Sequence, residues 1–344
     1  MKKSPLEKLG SALKSWSTVL LGILILEFVI FGMANRKFLL PAVLLGSVND
    51  IISICIISLF VTFVMITGGI DIQAGSIVGL SSIIVGVVWH DAGFNIWAAC
   101  LIAIIAAALC GALSGFFVAY CGVQPMVVTL GGSFLYSGLA LLVSRLSSTE
   151  SYKGISGFPD SFGQIAEFKL FNVIPNQLLI FAALALIAYF LLHKSKYGRR
   201  VFLVGVNPKA AEYSGINSRL VVLSTYVLSG ISAAIAGIVL TSYLDTAKSD
   251  IGATFTLQII TAVVLGGTLS TGGKGSVIGT ALAALVIGVL RFGLPLCFKI
   301  NTQYLDIPVG LLLLIVVICR SLANNPKVQK VFEKRFSGPA KGKA

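Results

Sequence analysis

The sequence predicts an all-α polytopic membrane protein with about ten transmembrane helices, some short or broken, and both termini in the cytoplasm. Of its 344 residues, 56% are hydrophobic and only 11% are charged, with a mean hydropathy of +0.96. A soluble domain carries roughly a quarter charged residues. The apolar runs approach the roughly 17–25 residues that cross a bilayer as a helix, and alternating barrel strands are not seen. Helices satisfy their own backbone groups in lipid, so the spans are expected to be helical.

The apolar runs define ten predicted spans. They cover residues 16–33, 51–67, 75–89, 96–119, 126–143, 175–192, 221–240, 255–265, 277–296 and 304–319. The eighth, and to a lesser degree the third, is short for a perpendicular crossing at about 1.5 Å per residue. Both border glycine-rich turns. We therefore expect broken or partly re-entrant helices there, buried by protein instead of lipid.

The basic residues predict the orientation. With the termini inside, the inner segments hold 18 of the 26 Lys and Arg residues, and the outer segments and the ninth span hold the other eight. This distribution follows the positive-inside rule. The predicted organisation is a cytoplasmic segment (1–15), a transmembrane domain (16–320) and a basic cytoplasmic tail (321–344). The transmembrane domain includes a periplasmic loop at 144–172 and a cytoplasmic loop at 194–219.

The loop at 194–219 contains a compact predicted helix. Asn207 is a favourable N-cap, Pro208 suits the first helical position, and Gly215 is a natural stop. About two turns would expose a small-residue face with one charge, formed by Ala210, Ala211, Ser214 and Glu212. The capping at both ends favours a docking helix for a cytoplasmic partner over an incidental helix in a solvated linker.

Two glycine-rich crossings, between spans two and three and between spans eight and nine, share a Gly-Gly pair followed by Gly-Ser-apolar-apolar-Gly. Glycine allows close helix approach and positive backbone angles. The pattern fits either helix packing alone or a flexible gate along a pathway. The candidate gate residues are Gly68, Gly69, Asp71, Gly75, Ser76, Gly266, Gly267 and Gly275. In either case, Asp71 is expected to cap a helix start.

Enzymatic, metal and nucleic-acid functions find little support in the sequence. The segment Gly272-Gly-Lys-Gly-Ser276 fails as a phosphate loop because Thr268 and Gly275 stand where the motif needs Gly and Ser or Thr. The net charge of +13 lies in short clusters without interleaved aromatic residues, which argues against nucleic acid. No Cys-x-x-Cys spacing, paired carboxylates or Ser/His/Asp set is seen, so no catalytic residue, metal or cofactor is expected.

An ion-coupled carrier is the alternative class, because such carriers need ionisable groups near mid-membrane. Glu27 lies near the middle of the first span, and Arg291 lies in the ninth. Glu27 is either a proton site or, as we favour, a residue that faces a neighbouring helix or subunit and finds a partner there. The two similar halves of a twelve-span carrier are not visible.

Three motifs carry a resemblance to a known family. They are Gly68-Gly-Ile-Asp-Ile followed by Gly-Ser, Asn207-Pro-Lys-Ala-Ala-Glu-Tyr-Ser-Gly-Ile, and the late Gly-Gly…Gly-Gly-x-Gly-Ser run. Together they resemble permeases of bacterial sugar-type ABC importers, which include ribose, xylose, arabinose and autoinducer-2 permeases. The likeness covers about residues 51–320. Residues 152–159, 200–205 and 247–255 are similar to the autoinducer-2 subgroup, whereas Val206 stands where glycine is frequent in the family.

The resemblance implies a permease subunit of the cell inner membrane that has no enzymatic activity itself. Its implied partners are cytoplasmic ATP-binding subunits with two nucleotide sites, a periplasmic solute-binding protein and a second permease, either identical or, as we expect, a paralogue. The helix at 207–215 would be the coupling helix seated in the ATPase. The expected solute is sugar-like, autoinducer-2 first, with ribose or another pentose as the alternative. From their location, Arg145 and Lys153 are candidate docking charges for the binding protein.

Overall fold

The computed structural model describes residues 16–150, 153–171 and 173–324. The predicted cytoplasmic segment 1–15 and most of the basic tail lie outside this part of the chain. The described residues form mainly helices: α1 (Trp16–Ala34), α2 (Pro41–Ile66), α3 (Ala74–His90), α4 (Ile96–Ala119), α5 (Pro125–Ser144), α6 (Asp160–Glu167), α7 (Asn176–Tyr189), α8 (Lys196–Val206), α9 (Pro208–Tyr213), α10 (Ser218–Leu244), α11 (Phe255–Leu265), α12 (Val277–Phe298) and α13 (Asp306–Asn324).

Short irregular elements connect the helices in the described part of the chain. A π-helical turn, Phe190–Lys194, extends α7, and 3-10 turns lie at Arg36–Leu39 and Thr302–Tyr304. Four two-residue strands form two antiparallel pairs that the sequence did not predict. Strand β1 (Ile155–Ser156) pairs with β4 (Thr246–Ala247), with Ile155 opposite Ala247, and β2 (Lys169–Leu170) pairs with β3 (Ile174–Pro175). The bundle is helical, as predicted, with these strands as a small addition in its loops.

Seven helices of the described chain are long and apolar enough to cross a membrane. They cover Trp16–Ala34, Asn49–Ile66, Ile96–Ala119, Pro125–Ser144, Asn176–Lys194, Ser218–Leu244 and Val277–Phe298. Three shorter apolar helices, Ala74–His90, Phe255–Leu265 and Thr302–Ile318, coincide with the third, eighth and tenth predicted spans. The short third and eighth elements are confirmed. The number of crossings and the side on which the termini lie stay predictions.

Helix α2 lies at the centre of the bundle, because nearly every residue from Ile52 to Ile66 is buried. A helix that is apolar all round belongs in such a position. By contrast, α4 has two faces. Its small residues are buried against α10, where a Cβ on Gly111 would overlap the Tyr226 carbonyl oxygen, and its large aliphatic residues point outward. Small residues at the contact let two helices approach closely in a membrane.

Candidate functional site

Helix α9 lies where the sequence predicted a capped helix. The Asn207 side chain accepts a hydrogen bond from the Ala210 N–H (3.1 Å), and Pro208 occupies the first helical position. At the other end, the Ser214 N–H donates to the Ala210 carbonyl oxygen (3.2 Å), and Gly215 adopts a φ of 78°. Glycine takes this left-handed conformation without steric cost. The predicted caps at both ends are confirmed.

The exposure of α9 differs from the prediction at one position. Ala210, Glu212 and Ser214 are exposed as predicted, but Ala211 retains only 3% of its accessible surface. The chain folds back beneath the helix, and the Ile216 N–H donates to the Ala211 carbonyl oxygen (3.1 Å). The prediction of an exposed Ala211 was therefore wrong. The Ala211 side chain lies on the buried face of α9, and the exposed face consists of the neighbouring residues.

Large apolar side chains are exposed on and beside α9. Tyr213 is 93% exposed, Val206 just before the helix is 72% exposed, and Leu220 just after it is 56% exposed. Apolar side chains that cluster at the surface mark interaction sites, and tyrosine is enriched among the anchors of protein interfaces. Tyr213 was not part of the predicted docking face, which comprised the small residues of the motif and Glu212. The signal was that Tyr213 is the one aromatic residue of the motif at 207–215.

Helix α8, which precedes α9, was not predicted. Its buried side is spaced every three residues, at Gly198, Val201 and Val204, as in an amphipathic helix. The Ser195 hydroxyl caps its start by accepting a hydrogen bond from the Gly198 N–H (3.0 Å). Lys194, Lys196, Arg199 and Arg200 at the start of α8 are typical of a cytoplasmic loop between two spans. The three-residue spacing of the buried residues is a weaker pattern and did not lead to a predicted helix. The predicted cytoplasmic loop therefore contains two consecutive helices.

Gly205, near the end of α8, fits against both glycine-rich crossings. A Cβ on Gly205 would overlap the carbonyl oxygen of Ile66, the last residue of α2, and would lie 2.7 Å from the Gly273 nitrogen. That same Ile66 oxygen accepts a hydrogen bond from the Gly273 N–H (2.8 Å). Three backbone segments thus meet immediately before α9. We call this meeting point of Ile66, Gly205 and Gly273 the glycine junction.

Residues 67–73, the first glycine turn, lead from the glycine junction to α3. Gly68 has a φ of 83°, and Gly69 has no room for a side chain against α10. The Asp71 carboxylate is buried and accepts hydrogen bonds from the Gln73 N–H (3.1 Å) and the Ser229 hydroxyl (2.6 Å). The N-cap of α3 is Gln73 and not Asp71 as predicted, so Asp71 fixes the turn that leads into the helix, and Ser229 fastens it to α10.

The two short helices α3 and α11 start beside each other. A Cβ on Gly75 would lie 2.5 Å from the Gly252 carbonyl oxygen, and the Thr256 hydroxyl donates to the Ile72 carbonyl oxygen (3.0 Å). Ser76 accepts a hydrogen bond from a serine of α5 (2.9 Å). Short helices that begin inside a bundle leave polar backbone groups there, and neighbouring protein groups form hydrogen bonds with them.

Residues 266–276, the second glycine turn, are packed closely as well. Gly266 has no room for a side chain against α12, and Gly267, with a φ of 98°, lies against the Trp16 ring. The Trp16 indole N–H donates to the last carbonyl oxygen of α11 (2.7 Å). A Cβ on Gly275 would lie 2.6 Å from the Ile66 side chain. Close packing at these glycines is therefore observed, and gating stays a prediction.

The contact between Asp71 and Ser229 gives a testable prediction. We expect Ser229→Ala to lower the free energy of unfolding by about 1–3 kcal/mol, because it leaves a buried carboxylate short of one donor. The control is Ser133→Ala, whose hydroxyl is exposed and donates to the Leu130 carbonyl oxygen of its own helix (2.8 Å). Thermal unfolding of the purified protein measures both. Equal stability of the two variants would contradict the importance of this contact.

The two predicted docking charges have different surroundings. Arg145 is exposed and forms no ion pair with the described residues, as predicted for a docking charge. Lys153 lies 2.8 Å from the Glu150 carboxylate, with both side chains more than half exposed. Glu150 therefore partly offsets the charge of Lys153, and docking at either residue stays a prediction.

Asp91, at the end of α3, fastens the loop that carries Arg145. Its carboxylate accepts hydrogen bonds from both the N–H and the hydroxyl of Ser148 (2.9 Å each). Desolvation works against the charged form, but these hydrogen bonds outweigh it and lower the pKa of Asp91 to about 2. The carboxylate is therefore ionised at neutral pH, and the C-terminal end of α5 is held to α3.

Glu27 is buried on the same stripe of α1 as Leu20 and Phe31. Phe31 packs against Gly293, so this stripe faces α12, and the prediction that Glu27 faces a neighbouring helix is confirmed. The expected partner is not found, because neither carboxylate oxygen makes a hydrogen bond within the described chain. A partner in a neighbouring subunit, the other half of the prediction, stays a prediction.

Comparison with known proteins identifies the family. Residues 43–317 match the family described as "Branched-chain amino acid transport system / permease component". The chain is also similar to the "Autoinducer 2 import system permease protein LsrD" of Photorhabdus luminescens and of Yersinia pseudotuberculosis strain YPIII. Each is 41% identical over 308 residues, which cover 90% of this chain and 92% of the relative. No solved structure matches the chain.

The family match spans α2 to α13 and includes α9, both glycine turns and the glycine junction. ABC importers of this kind combine a permease with ATP-binding and substrate-binding partners. The seven long apolar helices fit a multi-pass protein of the inner membrane. The chain therefore belongs to the permease family of bacterial ABC importers and is a sugar-type transport subunit, similar to the autoinducer-2 import permeases.

Proposed function

We propose that this chain is a membrane subunit through which an ATP-driven importer moves autoinducer-2 across the inner membrane. The relatives that match over 90% of the chain are named for this solute. The geometry that supports the proposal is α9, a helix capped at both ends that exposes Tyr213. Ribose or another pentose is the alternative solute, because these molecules share the neutral, hydroxyl-rich chemistry of autoinducer-2.

The ATP-binding subunit is proposed to dock on α9. Tyr213 would serve as the anchor, with Ala210, Glu212 and Ser214 around it. Interface energy is typically concentrated in a few aromatic or arginine anchors, surrounded by contacts that contribute little individually. Buried Ala211 and the hydrogen bond from the Ser218 hydroxyl to the Pro208 carbonyl oxygen (2.9 Å) would transmit a push on α9 to α10.

A second route from α9 passes through the glycine junction. Gly205 lies two residues before Asn207, and it packs against Ile66, just before the first glycine turn, and against Gly273 within the second. A rigid-body movement of α9 would therefore displace the first turn, which leads to α3, and the second turn, which follows α11. These two short helices start beside each other. A change in their relative tilt could therefore switch the pathway between opening to one side of the membrane and opening to the other.

The remaining partners are proposed from the family and from charge. A second permease subunit, which we expect to be a paralogue, would complete the pathway. A periplasmic solute-binding protein would dock at the outer end of α5, where Arg145 is exposed and the loop is held by Asp91. Lys153 would contribute less than Arg145, because Glu150 balances its charge.

Solute uptake by the complete transporter tests the proposal. Proteoliposomes containing this chain, the second permease and the ATP-binding subunits, supplied with the loaded binding protein, should accumulate autoinducer-2 when ATP is provided. L-leucine is the matched negative probe, because the family description names amino acids. Accumulation of leucine without autoinducer-2 would contradict the proposed solute.

Neutralising Glu27 tests the coupling to ATP. We expect Glu27→Gln to retain more than about half of the wild-type uptake, because an ATP-driven permease has no need for a proton site in α1. Stability should be unchanged or higher, since the change removes a buried carboxylate without a partner among the described residues. Loss of uptake with normal stability would instead indicate ion coupling.

A further inference from the structure

A cavity of about 590 Å³ opens between α2, α11 and α12. Ser47 lines this cavity and lies 19 residues before Ile66 on α2, which corresponds to about 28 Å along a helix. Because Ile66 belongs to the glycine junction beside α9, the cavity opens at the opposite end of the bundle. This end is the predicted periplasmic side. The volume lies within the roughly 300–1,000 Å³ of small-molecule sites.

Gln258 is a polar residue in the wall of the cavity. It lies in the first turn of α11, seven residues before the helix ends, and its side chain is 9% exposed. Its carboxamide forms no hydrogen bond with any residue of the described chain. Because Gln258 lines the cavity, its amide can both donate to and accept from a hydroxylated ligand there. Gln258 is therefore suited to hold a polar ligand in this cavity.

The charges around the cavity select against anions. The Asp50 carboxylate lines the wall and accepts one hydrogen bond, from the Tyr243 hydroxyl (3.1 Å). The Arg291 guanidinium also lines the wall, but it is paired with the Asp306 carboxylate at 2.7 Å. The positive charge is thus balanced, and the carboxylate of Asp50 retains accepting capacity. A ligand carboxylate would meet repulsion from Asp50 and no unpaired cation among the described residues that line the cavity.

Two aromatic side chains, Phe255 and Phe292, line the same space. Aromatic faces pack against the C–H groups of small cyclic molecules, and the polar groups then fix orientation. The geometry points to this cavity as the transported solute's binding site, with Gln258 and Asp50 hydrogen bonding the hydroxyl groups of a neutral polyhydroxylated molecule. This inference rests on the proposed function and names the residues that would recognise the solute.

The test uses the complete transporter in proteoliposomes, with autoinducer-2, D-ribose and L-leucine as separate probes. Gln258→Leu removes the amide with little change in volume. The control is Gln177→Leu, because Gln177 is a second buried glutamine, its amide has no hydrogen-bond partner in the described chain, and it lies outside the cavity. Asp50→Leu is the second test variant, and its exposed position makes a folding defect less of a concern.

We expect Gln258→Leu and Asp50→Leu each to reduce the rate of autoinducer-2 uptake about tenfold, with basal ATP hydrolysis and thermal stability unchanged. Gln177→Leu should transport like the wild type. Wild-type uptake rates in both cavity variants would overturn the inference and leave the proposed function intact. Wild-type transport of ribose alone would overturn the proposed solute, and the same variants assayed with ribose then decide the inference. Transport of leucine alone, or of no probe, would overturn both.

Discussion

Gly205→Ala should abolish most solute uptake while leaving the ATP-binding subunit attached. The new Cβ would overlap the Ile66 carbonyl oxygen, which already accepts the Gly273 N–H. Relief of that overlap requires α8 to move away from the glycine junction. Overpacking of this kind typically costs about 1–3 kcal/mol. We therefore expect uptake at least about tenfold lower and more ATP hydrolysed per solute.

The control for this variant is Gly131→Ala. Gly131 also lies within a helix, but a Cβ there would meet no heavy atom within 4 Å. Alanine in place of an exposed helical glycine should leave uptake unchanged and raise stability by roughly 0.5–1 kcal/mol. The proposed route through the glycine junction would be wrong if Gly205→Ala transported with the wild-type ratio of ATP to solute.

Tyr213→Ala is expected to weaken binding of the ATP-binding subunit by about 30-fold, the equivalent of about 2 kcal/mol for an aromatic anchor. The side chain is 93% exposed, so the stability of the permease alone should not change. Binding of the purified ATP-binding subunit to the permease in detergent measures the effect directly. Uptake should fall together with binding.

Two variants of the same helix serve as controls for Tyr213→Ala. Tyr213→Phe keeps the aromatic ring and should bind within about threefold of the wild type, provided that packing and not the hydroxyl dominates. Lys209→Ala removes an exposed charge from α9 and should also have a small effect. If Lys209→Ala weakened binding more than Tyr213→Ala, the anchor would be electrostatic instead of aromatic.

The caps of α9 were predictable because their causes are local. Asn207, Pro208 and Gly215 lie within nine residues, and each acts on its immediate neighbours. The shortness of α3 and α11 was predictable for a similar reason, since glycine-rich turns bound their apolar runs. By contrast, the burial of Ala211 depends on how the following residues fold back, and residue spacing in a two-turn helix does not determine that.

The glycine junction was beyond sequence reasoning. Ile66, Gly205 and Gly273 are separated by 139 and 68 residues, and only the packing of the bundle brings them together. The cavity next to Gln258 is similar, because its walls come from three helices distant in the chain. Composition and periodicity predict which helices form. They do not predict which polar groups meet inside a bundle.

The most direct test of the account is accumulation of solute against a gradient, with and without the ATP-binding subunit. Proteoliposomes with the full set of subunits and loaded binding protein should concentrate autoinducer-2 only when ATP is supplied. Omission of the ATP-binding subunit, or the Tyr213→Ala variant at low concentrations of that subunit, should eliminate accumulation. Concentrative uptake by the permease without any ATP-hydrolysing partner would contradict the account, because α9 would then have no ATP-driven movement to transmit to the bundle.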